Sequence, residues 1–183
     1  RRAPARRDTH EFVAAIDEKT LAVVIDHGVF RSSYLQDVKA IARAARAKGA
    51  YVIVDAYQTV GCVPIDVRAW DVDFVLGGSH KWLCGGPGAA YMYVNPKILR
   101  TLEPRITGWF SHKRPFGFEM DMEFADTAMR FATGTPPMAS LPRGDIENTR
   151  QSTSAMLTRL IAAVSSPDSS TSAALPISSS ILL

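Results

Sequence analysis

The sequence predicts an α/β layered domain, a three-layer and mostly parallel sheet flanked by helices. Three observations carry that prediction: short apolar runs ending in polar residues, a segment of helical period between two of them, and capping residues or glycines at the joints. "THEFVAAID" (9–17) suits a short helix with Phe12, Val13 and Ile16 on one face and Thr9 as its cap. "LAVVID" (21–26) reads as a buried strand. "LQDVKAIARAARAKG" then places Val38, Ile41, Ala42 and Ala45 at helical spacing and stops at Gly49, a natural residue just past a helix end. "AYVIVDA" (50–56) is a continuous apolar run of the kind found in sheets covered on both faces, and "VDFVLGG" (72–78) and "AAYMYV" (89–94) repeat it.

Composition removes several function classes. Of 183 residues, 46% are hydrophobic and 21% charged, an ordinary globular balance. No apolar run approaches the roughly 20 residues that span a bilayer, so no membrane partner is expected and a cytoplasmic location is. The net charge of +3 owes much to Arg1, Arg2, Arg6 and Arg7. No aromatic-basic interleaving follows them, which favours a solvated basic arm at 1–8 over a nucleic-acid site. Cys62 and Cys84 form no C-x-x-C and stand near no histidine at ligand spacing, so no metal is expected. Residues 165–180 hold eight serines and no aromatic, a composition that predicts disorder over 165–183.

The order of elements locates the chemistry. In open α/β sheets ligands bind beyond the carboxyl ends of the strands, where "VIVDAYQ" places Asp55 and Gln58 and "FVLGGSHK" places Ser79, His80 and Lys81. A lysine amine has an ordinary pKa of about 10.4 and is a poor nucleophile unless burial or a neighbouring cation lowers that value, and a Schiff base with a carbonyl cofactor removes the positive amine altogether. Pyridoxal 5′-phosphate makes such an aldimine, and needs a carboxylate at its ring nitrogen, a hydrogen bond at its phenolic oxygen and donors for its phosphate. Asp55 and Gln58 are suited to the first two. Taken singly each residue has a structural explanation: a strand-end aspartate caps a turn, and "GGPG" is a turn. D-x-x-Q at one strand end with S-H-K at the next is the less common combination.

"VIVDAYQTVGCVPIDV" followed by "DFVLGGSHKWLCGGPGAAYMYV" resembles the core of the class V aminotransferase group of fold-type I pyridoxal-phosphate enzymes, which includes kynureninases, cysteine desulfurases and related epimerases and lyases. The resemblance runs from about residue 21 to 137. With "GWFSH" (108–112) and "RFATGTPP" (130–137), it looks most like the kynureninase branch. It implies that 9–141 is part of the cofactor-binding large domain, with 142–164 a residual helical segment. It implies that Lys81 is the catalytic Schiff-base lysine, that Asp55 pairs with the pyridine nitrogen and Gln58 with the phenolic oxygen, and that Ser79 and His80 contact phosphate and ring. Gln58 and His80 depart from the histidine and tyrosine usual in kynureninases. Trp109 and Thr135 match residues that reach the phosphate from a neighbouring subunit, which implies a homodimer sharing its sites. A core or interface aromatic is the alternative for Trp109. Arg31 and His27, in "DHGVFRSSYL" (26–35), become candidate substrate contacts.

The activity implied is hydrolytic Cβ–Cγ cleavage of kynurenine or a similar amino acid, or a transamination. A desulfurase fits less well, because Cys84 is poorly placed as the mobile nucleophile. The resemblance also makes the chain look like a fragment lacking the phosphate-gripping turn and the small domain. The competing expectation is therefore an inactive remnant or dimerisation module.

Overall fold

The computed structural model describes residues 8–135 together with the backbone of Ile181–Leu182. The arm at 1–7, the expected helical segment 142–164 and the serine-rich segment up to 180 lie outside the described residues.

Helix α1 (Thr9–Ala15) starts one residue earlier than the sequence suggested. The cap is Asp8 rather than Thr9, because the Asp8 carboxylate accepts the His10 backbone N–H at 3.3 Å. Strand β1 (Ala22–Asp26) leads through a loop to α2 (Val38–Ala47), whose Asp37 cap accepts the Ala40 N–H at 2.9 Å. Gly49 ends α2 as expected: at φ +74° it turns the chain so that the Ala50 N–H reaches the Ala45 carbonyl at 3.0 Å. Strand β2 (Tyr51–Asp55), the one-turn helix α3 (Val67–Trp70) and β3 (Phe74–Gly78) follow, then β4 (Ala90–Val94) and α4 (Pro96–Leu99).

A ten-residue helix is too short to persist alone in water, so packing holds α2. Val38, Ile41, Ala42 and Ala45 are buried in one cluster with Val23, Ile25, Val52, Val54 and Val75. Each of the valines and isoleucines contributes about 1.5–3 kcal/mol on burial, and the alanines less. The second sheet face carries a smaller cluster of Val94, Leu99 and Ala128, packed by Phe74, Met92, Ile98 and Phe131. It does not extend to β1, where Val24 is 67% exposed. The expectation of a fully buried β1 is thereby corrected: the strand alternates because, among the described residues, only one of its faces is covered.

Strands β1, β2 and β3 pair in parallel, with Asp26 beside Asp55 and Asp55 beside Leu76. Strand β4 returns antiparallel to β3, with Gly78 opposite Ala90. No helix intervenes between β3 and β4, so the sheet is mixed, and the lysine loop is a return between antiparallel neighbours. The backbone of β5 (Ile181–Leu182) pairs antiparallel with β4, on the side away from β3.

Past α4 the chain folds into single-turn helices at Trp109–Ser111, Pro115–Gly117 and Ala128–Phe131. Buried Arg130 ties this region together: Nε donates to Ala125 O at 3.0 Å, Nη1 to Leu99 O at 2.7 Å and Leu102 O at 3.1 Å, and the guanidinium lies 5.6 Å from the Phe124 ring centre. Arg130→Met strips donors from three carbonyls and is expected to cost roughly 2–4 kcal/mol in urea unfolding.

Candidate active site

The carboxyl ends of the parallel strands are level. His27 N–H donates to Asp55 O and Ala56 N–H to Leu76 O, both at 2.8 Å, so the residues just beyond each strand emerge along one edge. That edge carries Asp26, Asp55, and the run Ser79, His80, Lys81.

Asp55 is half-buried, and its Oδ1 accepts the Tyr57 N–H at 2.8 Å. The Tyr57 ring packs over Gly78, where an added Cβ would stand 2.3 Å from the ring, and only glycine permits that approach. The ring then meets His80, centroids 5.5 Å apart, and lies 5.4 Å beneath Lys81 Nζ. Asp55 and Lys81 are therefore both joined to Tyr57, a residue the sequence reading did not single out. Its only sequence signal was an aromatic between the two polar residues of D-x-x-Q.

The Lys81 loop is closed from within. Ser79 N–H donates to Ala89 O at 3.0 Å and Gly85 N–H to Ser79 O at 2.8 Å. The buried Ser79 hydroxyl faces Gly86 O at 3.1 Å and Ala89 O at 3.3 Å, which engages it with the loop's own backbone. Trp82 fastens the loop to its neighbour by donating Nε1–H to Gln58 O at 3.0 Å. The left-handed positions in this loop are Cys84 (φ +55°) and Gly88 (φ +97°), so one tight turn falls on a cysteine rather than on the first glycines of "GGPG". Both cysteines are exposed free thiols.

The residue types fit pyridoxal phosphate. Asp55 Oδ2, the Gln58 side-chain amide and Lys81 Nζ make no hydrogen bond or ion pair with protein among the described residues. They offer an acceptor for a protonated ring nitrogen, a donor for a phenolic oxygen and an amine for an aldehyde.

Other expected contacts are placed elsewhere. His27 is buried with its Nδ1 2.9 Å from Thr59 Oγ1 and its ring edge-on to Trp70 at 4.7 Å, and burial pushes its pKa down. It ties the β1 end to the β2 loop rather than facing solvent. Arg31 is exposed on the following turn. Trp109, 39% exposed, sits among Phe110, Phe116 and Phe118, and no hydrogen bond or ring contact among the described residues joins it to Lys81. Thr135 is exposed in the irregular segment whose Thr133 backbone packs against Gly108.

Asp26 was not singled out either. It stands opposite Asp55 on the adjacent strand, and burial, followed by the Asp55 carboxylate, pushes its carboxyl pKa up. A carboxyl raised in the folded state costs nothing below the unfolded pKa and lowers stability as pH rises through the folded one. Because the group is well exposed, Asp26→Asn is expected to leave stability unchanged at pH 3 and raise it by under about 1 kcal/mol at pH 7, read by thermal unfolding.

The structure is an α/β layered sheet with Asp55 at the end of β2 and Lys81 three residues past the end of the adjacent β3. The chain belongs to the aminotransferase class-V family, whose model matches residues 3–142. The family is pyridoxal-phosphate-dependent. The chain is 38% identical over 131 residues to the uncharacterized aminotransferase YcbU of Bacillus subtilis, covering 72% of this chain and 34% of that protein. It is 33% identical over 132 residues to the kynureninase of Pseudomonas fluorescens, covering 72% and 32%. The crystal structure of the cysteine desulfurase CsdA from Escherichia coli superposes with a TM-score of 0.63 at 21% identity, over 76% of this chain and 34% of that one, a likeness of fold. The chain spans about a third of the length of these relatives.

Proposed function

We propose that this chain is the lysine-bearing part of a pyridoxal-phosphate enzyme that acts on an amino acid with the cofactor carried on the Lys81 amine. The reaction proposed is kynureninase-like hydrolytic Cβ–Cγ cleavage or a class V transamination. The observation that carries the reading is the convergence of Asp55 and Lys81 on Tyr57, 2.8 Å from the Asp55 carboxylate to the Tyr57 nitrogen and 5.4 Å from Lys81 Nζ to the ring. Similarity to an aminotransferase and to a kynureninase supports the two reaction types.

When bound, the cofactor supplies an electron-withdrawing ring that stabilises negative charge on the substrate α-carbon. Asp55 keeps the ring nitrogen protonated through its free oxygen. Gln58 donates to the phenolic oxygen, and His80 borders the ring. Lys81 Nζ would take and return the proton of the substrate α-carbon. Ser79 contributes by holding the loop that carries Lys81. Trp109 and Thr135 face the site of a second copy in a cytoplasmic homodimer, and the exposed Phe116 and Phe118 (72% and 74%) beside Trp109 supply the apolar contact. A desulfurase has less support: the Cys84 thiol faces Trp82 O at 3.7 Å inside the lysine loop.

Pyridoxal phosphate added to the purified chain, followed by borohydride, tests the reading. The expected result is a mass increase on the Lys81 peptide. An unmodified Lys81 peptide would overturn it and favour a non-catalytic module. Product analysis with kynurenine, alanine and cysteine separates the reaction types.

A further inference from the structure

We infer that Tyr57 is the positioning residue for the Lys81 amine, its ring face holding the ammonium against the end of β3 while its backbone N–H fixes the Asp55 carboxylate. The inference takes its chemical meaning from the reading of Lys81 as the cofactor lysine, but its geometry stands independently. Three contacts define the ring's place. It covers Gly78, where any larger residue would collide with it at 2.3 Å; it meets the His80 ring at 5.5 Å; and it lies 5.4 Å from Lys81 Nζ. A fourth contact, the 2.8 Å bond from its own N–H to Asp55 Oδ1, ties the same residue to the carboxylate at the neighbouring strand end.

The electrostatics point the same way. Lys81 Nζ makes no hydrogen bond or ion pair among the described residues, so the negative face of the Tyr57 ring is the group that holds it. A lysine otherwise keeps four rotatable bonds' worth of freedom, and an amine that must meet one atom of a flat ring gains from having that freedom removed beforehand. Glycine at 78 and aromatic at 57 are then one device: the absent Cβ lets the ring settle on the strand end, and the settled ring supports the lysine three residues on.

The test uses the full chain in two steps, with Tyr57→Leu removing the π-face and Tyr57→Phe keeping it. In the first, trace acetylation without cofactor compares labelling of Lys81 with exposed Lys39, read by peptide mass spectrometry. Tyr57→Leu is expected to raise the Lys81 to Lys39 ratio about two- to fivefold, the range a partly exposed cation–π contact implies, and Tyr57→Phe to leave it unchanged. An unchanged ratio in Tyr57→Leu, or an equal rise in Tyr57→Phe, would overturn the inference. In the second, pyridoxal phosphate is added and the visible circular dichroism of the lysine-linked cofactor is recorded. Tyr57→Leu is expected to lose more than half of that signal while Tyr57→Phe retains it, and full retention in Tyr57→Leu would overturn the positioning role. If the unsubstituted chain takes up no cofactor, the proposed function fails, and the acetylation ratio still decides the place of Tyr57.

Discussion

Under the proposed function, Lys81→Ala is expected to abolish covalent attachment of pyridoxal phosphate and the visible band that accompanies it, and to lower any turnover roughly 10³-fold or more, because one amine would both carry the cofactor and move the α-proton. The fold should not change. Lys81 is only partly buried, and its amine makes no hydrogen bond or ion pair among the described residues beyond its contact with the Tyr57 ring, so urea unfolding should shift by no more than about 1 kcal/mol. Asp55→Asn makes the informative contrast. The amide oxygen can still accept the Tyr57 N–H at the 2.8 Å now seen, so the local backbone keeps its shape, but the negative charge proposed to face a ring nitrogen is gone. Attachment at Lys81 should persist, with turnover down roughly 10²–10³-fold, the scale of losing one preorganised electrostatic partner. Loss of attachment in Asp55→Asn equal to that in Lys81→Ala would mean that Asp55 serves the fold of the crevice rather than its charge.

The sequence made the sheet and the chemistry legible to different depths. The α2 pattern gave Val38, Ile41, Ala42 and Ala45 as a buried face because helical period reports burial directly, and each of the four is buried. Strand direction was less accessible. A run such as "AAYMYV" is equally apolar whether it pairs parallel or antiparallel, and only the eleven-residue return of 79–89, stitched from Ser79 to Ala89, decides that β4 runs back along β3. The exposed face of β1 was misread for a related reason: apolar content says what can be buried, not what is present to bury it.

At the site, Asp55 and Lys81 were visible because D-x-x-Q at one strand end with S-H-K at the next is an uncommon combination, although each residue alone has a structural explanation. Tyr57 and Asp26 were not, because their part depends on a neighbour. Tyr57 matters through Gly78, which is 21 residues away, and Asp26 through register with Asp55 across two strands. His27 shows the opposite error. A histidine in a polar loop looks available, yet its partners Thr59 and Trp70 belong to later segments that close over it.

Gly108→Ala is expected to give the largest structural effect of any small substitution. Gly108 is extended at φ −145° and ψ −177°, a backbone any residue adopts, so conformation is not what demands glycine. Contact is. A Cβ at this position would stand 1.4 Å from the Thr133 carbonyl oxygen and 2.9 Å from its Cα, and backbone cannot step aside as a flexible side chain can. The same junction holds two hydrogen bonds of Ser111, whose Oγ accepts the Gly108 N–H at 3.0 Å and donates to Ala132 O. Parting the two segments by the width of a methyl group breaks both, and the cost should be about 3 kcal/mol, the upper end for overpacking, in urea unfolding. Gly134→Ala is the control: nothing lies within 4 Å of its added Cβ, and its stability should change by less than about 0.5 kcal/mol. Because the main cluster around α2, β2 and β3 contains no residue beyond Tyr93, Gly108→Ala should still attach pyridoxal phosphate at Lys81 while Trp109 and Thr135 lose their places together. Under the proposed dimer that variant fails at the shared contact, with sedimentation reporting a lighter species than the unsubstituted chain. Unimpaired assembly alongside the lost stability would remove Trp109 and Thr135 from the interface.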